Sequence, residues 1–155
     1  MSECDLMKIL QLVAEITTGT IHEFSLLAIK NSAGEYLQKF DKRWNCWLFP
    51  YVKSTNDNKT NVDEFASALF QTEISTKYVS SAKHCKYSVS DMTYKIYNHK
   101  LYMLLIDEVL LNMAAKEFVI SSETYCWMSM KDMEQNQELL EKNDEVIAFV
   151  KSKCK

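Results

Sequence analysis

Trp44-Asn45-Cys46-Trp47-Leu48-Phe49-Pro50-Tyr51-Val52, followed by Asp63-Glu64-Phe65-Ala66-Ser67-Ala68-Leu69-Phe70-Gln71-Thr72-Glu73, is the stretch whose reading decides the fold. Its first part holds two of the three tryptophans and the only proline. Trp44–Phe49 reads as an extended apolar run, and Pro50 closes it because proline cannot donate to a sheet ladder. The second part reads as a helix over residues 62–74, with Val62, Phe65, Ala66 and Leu69 on one face. Asn61 is the expected N-cap, and Asp63 and Glu64 fall in the first turn, where the helix dipole favours carboxylates. Between the two, Ser54–Asn61 is polar and without periodicity, the pattern of a surface loop.

Outward from that centre, residues 3–17 space Leu6, Ile9, Leu10, Val13 and Ile16 as a helix would, with Gly19 as a stop. Phe24–Ile29 and Tyr36–Phe40 read as two strands of a hairpin turning at Asn31-Ser32-Ala33-Gly34. Lys77 to about Leu111 is strand-like, with Asn98-His99-Lys100 as the turn candidate. Asn112–Glu117 fits either a short helix or a loop. Thr124–Met128 reads as the last strand, and Ser129-Met130-Lys131-Asp132 as a capping box opening a helix over 130–136. Residues 142–152 form a terminal helix with Val146, Ile147 and Val150 inward. Strands with helices packed on them give an α+β sandwich, built as one domain over 1–155 with helix 3–17 as an accessory extension.

Composition removes several functions. Net charge is −3 and the pI about 5.6, so bulk charge gives no reason to expect DNA, RNA or an anionic membrane. Two glycines in 155 residues leave no Gly-rich phosphate cradle. The five cysteines are scattered and odd in number, and they form no CxxC. They fit small apolar residues in a reducing cytoplasm. The acidic start Met1-Ser2-Glu3-Cys4-Asp5 has no signal-peptide pattern. No apolar run is long enough to span a membrane.

Three segments together resemble the Nudix hydrolase superfamily. Trp47-Leu48-Phe49-Pro50 is similar to the strand end that precedes the Nudix box. Tyr125-Cys126-Trp127-Met128-Ser129-Met130-Lys131-Asp132-Met133 is similar to a late segment in which a strand enters a short helix. Asn143–Val150 is similar to the closing helix. The resemblance covers roughly residues 22–152. It implies a Nudix-like α/β/α sandwich with a mixed sheet and flanking helices.

The box itself is degenerate. In the family it carries glycines, an arginine and glutamates on one helix face, which hold Mg²⁺ against phosphate oxygens. Here Tyr51 and Val52 stand where glycines follow the proline. With Glu73 as the last box glutamate, Thr72 replaces its neighbour, Leu69 the glutamate one turn earlier and Ala68 the arginine. Glu73 is the remaining catalytic and metal candidate, and one carboxylate is a poor Mg²⁺ site. An offset site would draw on Asp57 or Asp63, or on Asp107 and Glu108.

Ligand-binding candidates are Trp44 and Trp47, which could stack a base, with Tyr51 beside them. Lys39 and Arg43, with Lys42, form a small basic cluster that could meet phosphate. His84-Cys85 reads as incidental, since neighbours on a strand face opposite sides. Ser80-Ser81 and Ser121-Ser122 read as turns. Methionines 103, 113, 128, 130 and 133 read as core filler.

The expected function is a catalytically degenerate Nudix-like module that binds a nucleotide or a nucleotide-derived ligand, leaning away from enzyme activity. The alternatives are a divergent Mg²⁺-dependent phosphoanhydride hydrolase, with Mg²⁺ needed only in that case, and a protein–protein interaction module. The reading leaves room for a homodimer.

Overall fold

The structure is a computed structural model and describes residues 6, 21–88, 92–107 and 113–154. The N-terminal helix expected over 3–17 lies outside them except for Leu6, which is helical. Eight strands form one sheet: β1 (His22–Lys30), β2 (Glu35–Asp41), β3 (Cys46–Leu48), β4 (Tyr51–Lys53), β5 (Lys77–Ser88), β6 (Thr93–Leu105), β7 (Glu117–Ile120) and β8 (Glu123–Ser129). Beyond Leu6, the helices among the described residues are α1 (Asn58–Phe70), α2 (Met130–Gln135) and α3 (Gln137–Lys153). The strand order is β5-β6-β1-β2-β8-β7, with β3 on β2 and β4 on β1. β1 and β6 run parallel and the other pairs antiparallel, so the sheet is mixed.

Alternation along the central strands makes two cores. Leu26 and Ala28 face α3 and pack with Val146, Ile147 and Val150. Leu27 and Ile29, their chain neighbours, face α1 and pack with Val62, Ala66, Leu69 and Phe70. A strand buried on both faces explains why Phe24–Ile29 reads as a continuous apolar run. Met113 and Met133 are fully buried, and Met103, Met128 and Met130 pack at the edge of the α3 core.

β1 and β2 meet at Lys30–Tyr36, beside their turn, and then part. β3 takes the free edge of β2 at Lys39–Asp41, and β4 takes that of β1 at Phe24–Leu26. Phe49-Pro50 is the crossing between them. Leu27 N–H donates to the Pro50 carbonyl at 2.9 Å, and the missing proline N–H falls where the chain changes partners. On the α1 face, buried Asn58 donates to Ser25 Oγ at 2.6 Å and to Tyr102 OH at 2.8 Å. Its Oδ1 accepts from Thr55 N. That satisfied polar cluster fixes where α1 begins.

Several boundaries differ from the sequence reading. α1 starts four residues early, with Asp57 rather than Asn61 at the N-cap position, and ends at Phe70. Gln71 stops it in the left-handed region, φ 56°. Trp44 and Asn45 belong to a turn, with Asn45 at φ 54°. Asn98-His99-Lys100 is not a turn but the middle of β6, because pairing to β1 on one side and β5 on the other overrides local polarity. Ser80-Ser81 lies within β5, paired to β6 just after a bulge between Tyr78 and Ser80. Asn112 lies outside the described residues, Met113 is in a 3₁₀ turn, and Glu117 opens β7, a short strand the sequence did not signal. The capping box holds: Ser129 Oγ accepts from Asp132 N at 3.1 Å. α3 starts at Gln137 and is broken at Asn143 (φ −146°, ψ 21°).

The β7–β8 hairpin turns on Ser121 and Ser122, at φ 50° and 68°. Two positive φ values make a tight turn that suits Asn-Gly far better than Ser-Ser. Ser121→Asn with Ser122→Gly is expected to stabilise the fold by about 1 kcal/mol, read as a raised denaturation midpoint with unchanged slope. A lower midpoint would contradict the turn geometry.

Candidate functional site

The parting of β1 from β2 opens a pocket of about 60 Å³ on the α3 side of the sheet. Phe24 and Leu26 of β1 and Tyr97 and His99 of β6 form its floor. Phe49, Tyr51 and Leu48 wall it from the crossing segment. Trp44 and Arg43 enter from the turn after β2, and Lys142, Asn143 and Val146 from α3. Aromatic walls with two cations form a cleft suited to a planar ring bearing negative charge.

Asp41 holds the rim. Its Oδ1 accepts from Trp44 N at 3.0 Å, and its Oδ2 accepts from Tyr51 OH at 2.6 Å. Burial, then the bond to Asp41, pushes the Tyr51 hydroxyl well above the usual phenol range. Tyr51 therefore acts as a neutral donor fixed in place, edge-on to Phe24 at 5.3 Å. Lys142 donates to the Trp44 carbonyl at 3.0 Å and pairs with Glu138 at 3.4 Å, which ties α3 to the turn. Arg43 is exposed at the mouth.

His84 and His99 are both buried, and their Nδ1 atoms lie 2.7 Å apart. Tyr97 stacks on His99, with ring centroids 5.9 Å apart and planes 5° from parallel. Phe149 of α3 meets the His84 ring edge-on at 5.7 Å.

The carboxylates are elsewhere. α1 packs on the opposite face of the sheet. Of its acidic residues, Asp63 is already engaged: Oδ1 accepts from Thr76 N at 2.8 Å and from Thr76 Oγ1 at 2.5 Å, and Oδ2 from Lys59 at 2.6 Å. Burial alone would raise its pKa, but the bonds from Lys59 and Thr76 outweigh burial and lower it. Glu64 is exposed on α1. Glu73 is exposed in the coil beyond α1, not on the helix as the box alignment required. Asp57 and Asp107 are exposed, and Glu108 lies outside the described residues. Among the described residues, no three His, Cys, Asp or Glu side chains gather as a metal site. These donors do not fit the Mg²⁺ that Nudix hydrolysis would use.

Of the sequence candidates, Trp44, Arg43 and Tyr51 come together at the pocket. Trp47 does not line it and packs edge-on against Phe40 at 5.4 Å. Lys39 points to the other neighbour of β2, where it meets Glu123 at 3.8 Å. The sequence reading missed His99, Tyr97 and Asn143. The alternation of Tyr97, His99, Leu101 and Met103 could have placed the first two on one face of a strand. Nothing in the sequence marks the break at Asn143.

The Asp63 brace is testable. Asp63→Asn is expected to cost about 1–3 kcal/mol at pH 7, by denaturant unfolding. A carboxyl with a lowered folded pKa stabilises above its unfolded value near 4 and loses that stabilisation as pH falls through the folded value. The gap between wild type and variant should therefore close below about pH 4, and a gap that persists there would contradict the brace.

No protein-family profile matches the chain, and no curated protein matches it. Solved structures do. The MutT protein of Methanosarcina mazei superposes with a TM-score of 0.59 at 14% identity, covering 85% of this chain and 94% of that one. The Nudix domain of Shewanella oneidensis NrtR, complexed with ADP-ribose, gives a TM-score of 0.59 at 10% identity and covers 98% of both chains. A Nudix hydrolase from Nitrosomonas europaea gives 0.50 at 9% identity, over 86% of this chain and 87% of its own. With its mixed sheet between α1 and α3, the chain is a divergent protein of the Nudix fold.

Proposed function

We propose that this protein binds a nucleotide or nucleotide-derived anion in the pocket between β1, β6 and α3, as a sensor or accessory module, without metal-dependent hydrolysis. The observation that carries this reading is the pocket itself: aromatic side chains around a cleft with Arg43 and Lys142 at its edge. Aromatic faces stack a base and guanidinium groups meet phosphate. The ADP-ribose bound to the NrtR Nudix domain supports the ligand class. Position speaks against turnover, since Glu73 lies beyond the helix and Asp63 is engaged by Lys59 and Thr76. Cys46, Cys85, Cys126 and Cys154 are buried and not joined in disulfides, which supports a reducing, cytoplasmic setting. No helix among the described residues is long and apolar enough to cross a membrane.

The test is a panel of nucleoside diphosphates and ADP-ribose, with and without Mg²⁺, following melting temperature and product release. Binding without turnover is the expected result, with a melting point that rises with ligand concentration. Arg43→Ala should weaken binding roughly tenfold or more, the scale of one charge-assisted contact. Lys39→Ala, outside the pocket, should leave affinity within about twofold, a difference well under 1 kcal/mol. Turnover that disappears in Glu73→Gln would overturn the binding-only reading in favour of a divergent hydrolase. Silence toward the whole panel would favour an interaction module.

A further inference from the structure

His84 and His99 form a contact that pocket lining alone does not explain. At 2.7 Å between Nδ1 atoms, one nitrogen must carry a hydrogen and the other a lone pair. His99 reaches the pocket wall, and His84 stands behind it against Phe149. A neutral pair has two arrangements. If His99 donates through Nδ1, its Nε2 is an acceptor; if His84 donates, the His99 Nε2 carries the hydrogen and is a donor. Adding one proton removes the choice. Whichever ring is the imidazolium, both Nε2 atoms then carry hydrogen, and the bond between the rings survives. A second proton would set N–H against N–H and two cations in contact, so the pair takes one proton and not two.

We propose that His84 and His99 act as a one-proton pair that sets the polarity of the pocket wall, so that an anionic heterocyclic ligand binds with uptake of one proton from solvent. The second half rests on the nucleotide-binding reading; the first does not. Charged neighbours act in both directions. Arg43 and Lys142 at the pocket oppose a nearby cation. So does Lys95, which shares the Tyr97 and His99 face of β6 by strand alternation. Glu145 of α3, whose field reaches Cys85 beside His84, favours it. Tyr97 covers His99 and itself meets the tilted ring of His22 of β1 at 5.3 Å. Tyr51 faces the same pocket as a neutral group. An arriving anion offsets Arg43 and Lys142 and tips the pair toward its charged form. Protonation accompanies binding, so affinity rises as pH falls through the histidine range of roughly 8 to 5. At full linkage the change is up to about tenfold per pH unit.

The experiment is long-range proton–nitrogen NMR of the full chain with labelled imidazoles, titrated from about pH 8 to 5. A coupling between the two Nδ1 atoms and one shared titration step for both rings are expected. Two independent steps for His84 and His99 would overturn the pair. Calorimetry with ADP-ribose in two buffers of different ionisation enthalpy then counts protons. Wild type should take up close to one on binding, and His84→Gln close to none. Zero uptake by wild type, with binding intact, would overturn the linkage. If His84→Gln fails to fold, the wild-type titration and proton count decide. If neither ADP-ribose nor any nucleoside diphosphate binds, the nucleotide reading and the linkage fall together, and the shared titration still judges the pair.

Discussion

The structure depends on the parting of β1 from β2. A hairpin that stayed paired along its whole length would leave no place for the segment from Cys46 to Lys53. Because the two strands separate after Lys30–Tyr36, the segment can pair first with β2 and then with β1. Pro50 stands at the change of partner and loses nothing by having no N–H. Phe49, almost fully buried, fills the space at the crossing and meets Tyr36 edge-on at 5.9 Å. The hydroxyl of Tyr36 in turn donates to the Cys154 carbonyl at the end of α3. One divergence thus places the crossing segment, the terminal helix and the pocket between them.

How much of this was legible follows from which forces act locally. The apolar run of β1, the Asn31–Gly34 turn and the Ser129 cap depend on nearest neighbours, and the sequence shows them. So does the order of segments that resembles the Nudix superfamily, and the fold bears out that resemblance and the mixed sheet. The helix limits were misplaced because α1 begins where Asn58 finds Ser25 and Tyr102, partners more than thirty residues away in sequence. Asn98-His99-Lys100 looks like a turn until β1 and β5 pair on either side of it. β7 is short, and its pairing partner is named only by the turn at Ser121-Ser122. Long-range pairing decided each of these, and a one-dimensional pattern does not carry it.

The same distinction separates the site candidates. Trp44, Arg43 and Tyr51 could be seen because they are close in sequence and the turn after β2 keeps them close in space. Lys39 and Trp47 are as near in sequence but point elsewhere, since each residue along a strand alternates faces and edges. His99 and Asn143 come to the pocket from strands and helices remote from the opening segment. Their roles are consequences of topology, and the three sequence motifs say nothing about them.

The two faces of the sheet keep the cleft apart from α1. α1 packs through Val62, Ala66, Leu69 and Phe70 on the Leu27 face. The pocket lies on the Leu26 face, under α3. Ala68 and Leu69 lie on α1 and Thr72 just beyond its end at Phe70, and none of the three lines the pocket. Leu69 joins the core that anchors α1, where burial contributes about 25 cal/mol for each Å² removed from water. The pocket, by contrast, is held by Asp41, Tyr51, Trp44 and Lys142, and none of them lies on α1. The pocket and α1 therefore draw on separate residues on opposite faces of the sheet, so change on the exposed side of α1 need not reach the pocket.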